Sequence, residues 1–176
     1  MSKVITFSRT FPKYHPRAGQ PTCFKEKLLT SLYLMKRISH DQAVAFNLID
    51  HEDRIIHAPK STTVRAGFRW KENEYFSPRE WSGKSYVSKQ NKLFKDLRIE
   101  TIYTLDFYPG DGFYFCGNRV EIDKTFIPIN DGLSSLDFFH WFDKSVPFHG
   151  QILSIKKDIH RELVDKLYDA NAELLF

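Results

Sequence analysis

The chain has 176 residues, of which 41% are hydrophobic and 27% charged, with a formal charge of +4. That is enough apolar material for the core of one domain spanning 1–176, and no stretch is long and apolar enough for a membrane span. The opening Met1 to Phe7 lacks the apolar run of a secretory leader, and Cys23 and Cys116 fit neither a disulfide framework nor a zinc spacing. A cytoplasmic, reducing location with two buried thiols is therefore expected.

Lys3 to Phe11 sets Ile5 and Phe7 in alternation with Thr6 and Ser8 and predicts a strand, followed by a loop from Pro12 to Pro21. Phe24, Leu28, Leu29, Leu32 and Met35 recur at helical spacing behind Thr22, an available N-cap. Ala43 to Ile56 reads equally as a short helix or a strand. Leu97 to Tyr108 alternates again, placing Leu97, Ile99, Thr101, Tyr103, Leu105 and Phe107 on one face. Phe113 to Ile122 is its neighbour across a turn from Pro109 to Gly112.

A short helix through Phe142 follows the hydroxyl cap Ser134, then a strand from Gly150 to Ile155 and a closing helix from Asp158 to Leu175. The cluster of Phe138, Phe139, Trp141 and Phe142 reads as core. Strands of unequal length around short helices, without regular β-α-β alternation, exclude a doubly wound sheet. They predict an α+β domain built on a small curved sheet or barrel, with no repeat and no linker dividing it.

Charge is unevenly spread along the chain. Residues 1–59 hold nine basic and five acidic side chains, 60–98 hold ten and four, and 99–176 hold seven and thirteen. Unless folding mixes these charges again, the first half favours a polyanion.

The densest chemistry lies between Lys60 and Lys71. Lys60, Ser61, Thr62, Thr63, Arg65, Arg69, Trp70 and Lys71 combine ammonium, hydroxyl, guanidinium and stacking groups suited to a nucleotide. If Thr62 to Ala66 is extended, Thr63 and Arg65 share one face, and Gly67 permits a turn that returns Arg69 and Lys71 toward it. A solvated basic hairpin is the other reading. From Pro78 onward, Arg79, Trp81, Lys84, Tyr86, Lys89, Lys92 and Lys95 interleave cations with aromatics, the pattern of a groove for single-stranded RNA, or else a solvated loop with Trp81 and Tyr86 in the core. The seven histidines show no metal-ligand spacing, so no metal or cofactor is expected, and His57 is the one placed near Lys60 to act as a base.

The order Ile5-Thr6-Phe7-Ser8-Arg9, a helix, Lys60-Ser-Thr-Thr-Val-Arg65, Arg69-Trp70-Lys71, strands, and Asn130-Asp131-Gly132-Leu133-Ser134-Ser135-Leu136-Asp137-Phe138 resembles the ASCH (activating signal cointegrator homology) family over roughly residues 3–155. That resemblance implies a PUA-like β-barrel and a cleft for RNA or modified nucleobases. Some small bacterial members hydrolyse the amide of N4-acetylcytidine with a Lys, a Thr and an acidic residue. Matched by position, these fall on Lys60, Thr63 and Asp131, with Arg65 the arginine that follows. Asp131 stands where the amidohydrolases carry Glu, and a carboxylate ahead of a helix start also reads as a cap.

The expectation is thus an RNA- or modified-nucleotide-binding domain. The alternatives are an amidohydrolase acting through Lys60, Thr63 and Asp131, and a protein-interaction domain using the closing helix. Ligand contacts are assigned to Arg9, Arg65, Arg69, Trp70, Lys71, Arg79, Trp81 and Lys84.

Overall fold

A computed structural model of the chain describes residues 2–121, 127–142 and 145–157. The closing helix expected from Asp158 lies outside the described residues. In chain order the first elements are β1 (Lys3–Phe7), α1 (Phe24–Leu34), α2 (His40–Ala45), β2 (Thr62–Ala66), β3 (Tyr75–Trp81), β4 (Gln90–Lys92) and β5 (Leu97–Arg98). There follow β6 (Thr101–Tyr108), β7 (Gly112–Phe115), β8 (Asn118–Val120), α3 (Ile127–Asn130), α4 (Ser135–Trp141) and β9 (Phe148–Ser154).

The class is α+β, with few helices and two sheets, and no closed barrel is found among the described residues. These elements fall into two compact units. Residues up to 61 together with 74–98 form one, and 62–73 together with the described residues from 99 on form the other. The single strand expected from Leu97 to Tyr108 is split at this division. Leu97 pairs with Phe76 of β3, whereas Glu100 gives its N–H to the Ser154 carbonyl at 2.8 Å, and β6 runs on beside β9.

In the first unit β1 and β4 flank β3, β1 in parallel and β4 antiparallel, and β5 also pairs with β3. A parallel pair needs a long crossover, and the segment after β1 supplies the helices. Leu28, Leu29 and Leu32 of α1 are buried, as their spacing predicts. Thr22 lies one residue before the cap position, yet its hydroxyl accepts the Phe24 N–H, the first of α1, at 3.4 Å. Its hydroxyl donates to the Ser8 carbonyl at 2.6 Å, and the residue at the cap position is Cys23, in left-handed conformation at φ 54° with no side-chain cap bond. The ambiguous segment after it begins as a helix because Ser39 and Gln42 form a reciprocal capping box, satisfying two otherwise orphan amides.

In the second unit an antiparallel sheet runs β2-β9-β6-β7-β8. Alternation along β6 holds as expected, and Tyr103, Leu105 and Phe107 are buried on one face with Phe113, Phe115 and Ile152. Phe138 and Phe142, on and just after α4, close over this face. Phe113 lies 6.0 Å from Phe138 and 5.3 Å from Phe142, and Phe107 lies 4.8 Å from Phe113. Each such ring contributes about 1.5–3 kcal/mol when fully buried. The opposite face carries Thr63, Arg65, Gln151, Thr104, Asp106, Tyr108 and Tyr114 by register, and is largely polar.

Neither cysteine is the buried thiol expected. Cys23 is half-buried and Cys116 exposed. Cys116 and Gly117 make the two-residue turn between β7 and β8 at φ 47° and 83°, the positive values that a tight hairpin imposes, and a turn tip faces outward.

Candidate functional site

The first unit holds a cleft of about 250 Å³ between the end of β1 and the start of α1. Phe7 and Phe24 supply its aromatic lining, Arg9 and Lys25 its cations, and Glu26 and Glu80 its carboxylates. Arg9 donates to the Ser82 carbonyl at 3.0 Å, which ties the end of β1 to the β3–β4 hairpin.

Lys60 does not line the cleft but lies behind two of its rings. It is only 2% exposed, its N–H bonds to the Lys27 carbonyl, and its ammonium sits 4.3 Å from the centroid of Phe24 and 5.8 Å from that of Phe7. Lysine is rarely buried, because removing its charge from water costs several kcal/mol unless partners compensate, and ring faces are one such partner. Phe7 and Phe24 both line the cleft, so the buried ammonium stands next to it.

The β3–β4 hairpin carries the basic-aromatic insertion. Trp81 is half-buried and its ring lies 5.6 Å from Tyr86, which is 90% exposed at a φ of 64°. Tyr86 is therefore not a core residue. Arg79 bonds Ser77 through Nε at 3.3 Å, and Lys92 is held by Asp96 at 2.6 Å. The bond from Lys92 holds the Asp96 carboxyl below its ordinary range. Lys84, Lys89 and Lys95 are exposed.

The other assigned residues lie in the second unit. Thr63 sits opposite Leu153 and Arg65 opposite Gln151, so the two share a face as alternation requires, with Thr63 buried. Thr62 points the other way, and its buried hydroxyl has no hydrogen-bond partner among the described residues. Gly67, at φ 74°, turns the chain back across the Arg65 face. There Trp70 gives its N–H to Gln151 Oε1 at 3.1 Å and receives the Gln151 side-chain amide on its carbonyl at 3.1 Å.

Trp70 is one of the residues assigned above as a ligand contact. It is 3% exposed and belongs to the core, because Gln151, a residue with no local signal in the sequence, clamps the loop down. Arg69 and Lys71 remain exposed, the Arg69 guanidinium 5.7 Å from the Trp70 ring.

Asp131 is buried in the turn after α3, its N–H bonded to the Ile127 carbonyl at 3.0 Å. It does not cap α4. Ser134 does, accepting the Asp137 N–H at 3.0 Å. Lys60 thus lies in the first unit, and Thr63, Arg65 and Asp131 in the second. His57 is half-buried.

Sequence reasoning missed the cleft itself. Phe24 reads as a helix-core position, and nothing local signals that Phe7 and Phe24 converge on Lys60. No group of three or more metal-ligating side chains occurs among the described residues, and no helix there is long and apolar enough to cross a membrane. No family model, curated protein or solved structure matches this chain.

Proposed function

We propose that this chain is an ASCH-like, PUA-like protein that binds RNA or a modified nucleotide through its first unit. The observation that carries this reading is Lys60, an ammonium buried against Phe7 and Phe24 beside a cleft that also offers Arg9, Lys25 and Glu80. The chemistry fits a nucleotide: aromatic faces for a base, a carboxylate for its amino edge, and cations for phosphate.

Charge supports it. The first unit contains sixteen basic and eight acidic residues, a net of +8, while the second contains ten and fourteen, a net of −4. The sequence asymmetry therefore follows the unit division. Exposed Tyr86 beside Trp81, with Lys84 and Lys89 on the same hairpin, extends the surface for a single strand.

The test is fluorescence anisotropy with a labelled single-stranded RNA. Binding is expected to weaken by tenfold or more between about 50 and 200 mM salt, as phosphate contacts release counterions. It is also expected to fail in Lys60→Met and weaken in Arg9→Ala. Absence of saturable binding, or binding indifferent to salt, overturns the reading.

A second reading is an amidohydrolase for N4-acylated cytosine, favoured by the burial of Thr63 three residues after the buried Lys60. In that reading the Thr63 hydroxyl would add to the amide carbonyl and give up its proton to a general base. Collapse would expel the cytosine amine with a proton, and water would release the acyl group as acid. Turnover of N4-acetylcytidine followed by ultraviolet absorbance, lost in Lys60→Ala and Thr63→Ala, would establish it. Unchanged turnover in either variant removes the mechanism.

A further inference from the structure

The polar face of the second sheet carries a cavity of about 390 Å³ that plays no part in the nucleotide reading. Tyr108, Tyr114, Asp106, Asp111 and Gly117 line it. Tyr108 and Tyr114 meet at 87° with ring centroids 5.5 Å apart, and the His149 ring stands at 74° to Tyr108, 5.4 Å away. Rings at right angles do not sandwich a flat base. They form a corner that surrounds a compact group, and their faces carry negative quadrupole.

The remaining side chains of the lining are carboxylates, and hydrogen bonds fix both. Asp106 Oδ1 pairs with His149 Nδ1 at 2.8 Å, and Asp111 Oδ2 accepts from the Tyr114 hydroxyl at 2.7 Å. That last bond raises the Tyr114 phenol above its ordinary value, since ionising the ring would put two negative charges together. Arg119 stands at the rim. It donates through Nη2 to the Asp111 backbone carbonyl at 2.7 Å, with its Nε 3.4 Å from Asp111 Oδ1. Asp106 Oδ2 has no hydrogen-bond partner among the described residues.

Two carboxylates and the net charge of this unit repel phosphate, which separates this cavity from the cleft of the first unit. An alkylammonium or guanidinium group gains from both kinds of wall, through the ring faces and through the open oxygen of Asp106. Because the tyrosines and carboxylates are already tied to one another, little side-chain freedom is lost on binding. We infer that this cavity binds an alkylammonium or guanidinium group. Two sources present that chemistry, the lysine or arginine side chains of a basic protein segment and a free polyamine.

The test is a proton NMR titration of the full chain with spermine, with a nonapeptide of alternating Lys, Arg and Gly, and with AMP. Spermine or the peptide is expected to shift the ring resonances of Tyr108, Tyr114 and His149 saturably, while AMP leaves them in place. Asp106→Asn keeps an acceptor for His149 and is expected to weaken the midpoint about tenfold. Tyr108→Leu keeps the charge and is expected to weaken it several-fold, so a folding failure in one variant still leaves the other to decide. A lower midpoint for the peptide assigns a protein source, and a lower midpoint for spermine a polyamine. Failure of both cations to give saturable shifts, identical midpoints in the variants and the parent, or equal shifts with AMP would overturn the inference.

Discussion

Gln151 holds the backbone of Trp70 at both ends, accepting its N–H and donating to its carbonyl, each at 3.1 Å. The pair lies 81 residues apart in sequence, and both members are buried. Gln151→Leu keeps the bulk but leaves the Trp70 amide and carbonyl unsatisfied, which is expected to cost about 3 kcal/mol. Urea unfolding of the variant measures it, and a loss below about 1 kcal/mol would mean that water replaces the clamp.

Lys60 offers the opposite trade. Met has a similar reach, needs no hydration and makes favourable sulfur contacts with the Phe24 ring. Lys60→Met keeps the packing against the two rings and is therefore expected to stay folded while losing RNA binding. A destabilisation beyond about 2 kcal/mol would assign the ammonium to the fold instead of the ligand.

Tyr86 sits at positive φ, where a side chain is strained and glycine is not. Tyr86→Gly is expected to leave stability unchanged or raise it by up to about 1 kcal/mol, because a fully exposed ring gives up no burial. In the same variant RNA affinity should fall about tenfold through loss of base stacking. Unchanged affinity would remove the hairpin tip from the binding surface.

His40 at the start of α2 has its pKa raised, first by the hydrogen bond to Asp53 at 2.8 Å, against desolvation, and then by the charges of Asp53 and Asp41. A raised value means the contact stabilises the protonated form. The stabilisation is complete below the unfolded-state pKa and is lost as pH rises through the folded-state one. Hydrogen exchange at the α2 amides is thus expected to quicken, beyond its intrinsic pH dependence, on passing from pH 6 to 8. His40→Gln should abolish that excess. At the acid end, Asp50, lowered first by the Arg54 backbone bond and helped by its side chain and the Glu52 amide, loses its contribution as pH falls through its folded-state value.

Gly150 shows how tightly β9, an inner strand of the second sheet, is built. A Cβ there would meet the Arg65 carbonyl oxygen and lie 2.6 Å from Phe148 Cζ. The ring has some freedom to turn, but the carbonyl is fixed by the β2–β9 ladder. Gly150→Ala is expected to cost about 3 kcal/mol or more, read by thermal unfolding.

What the sequence determined by itself is whatever depends on near neighbours. Alternation placed Tyr103, Leu105 and Phe107 on one face of β6 and set Thr63 beside Arg65. Helical spacing buried Leu28, Leu29 and Leu32, and a serine three residues before Asp137 capped α4. Each of these follows from the 2.0 or 3.6 periodicity of the backbone or from a hydrogen bond spanning a few residues.

Only the tertiary structure decided the rest. Trp70, in a run of cations, looked like a stacking platform until Gln151 drew it into the core. Leu97 and Thr101, in one alternating run, joined different sheets, and Cys116 went to a turn tip because the hairpin needed positive φ there. Lys60 met Phe7 and Phe24 across separations of 53 and 36 residues. Local propensity carries no information about which distant rings will surround a charge. That choice is made when apolar faces are buried together, and the polar groups that come with them must find their partners wherever the packing leaves them.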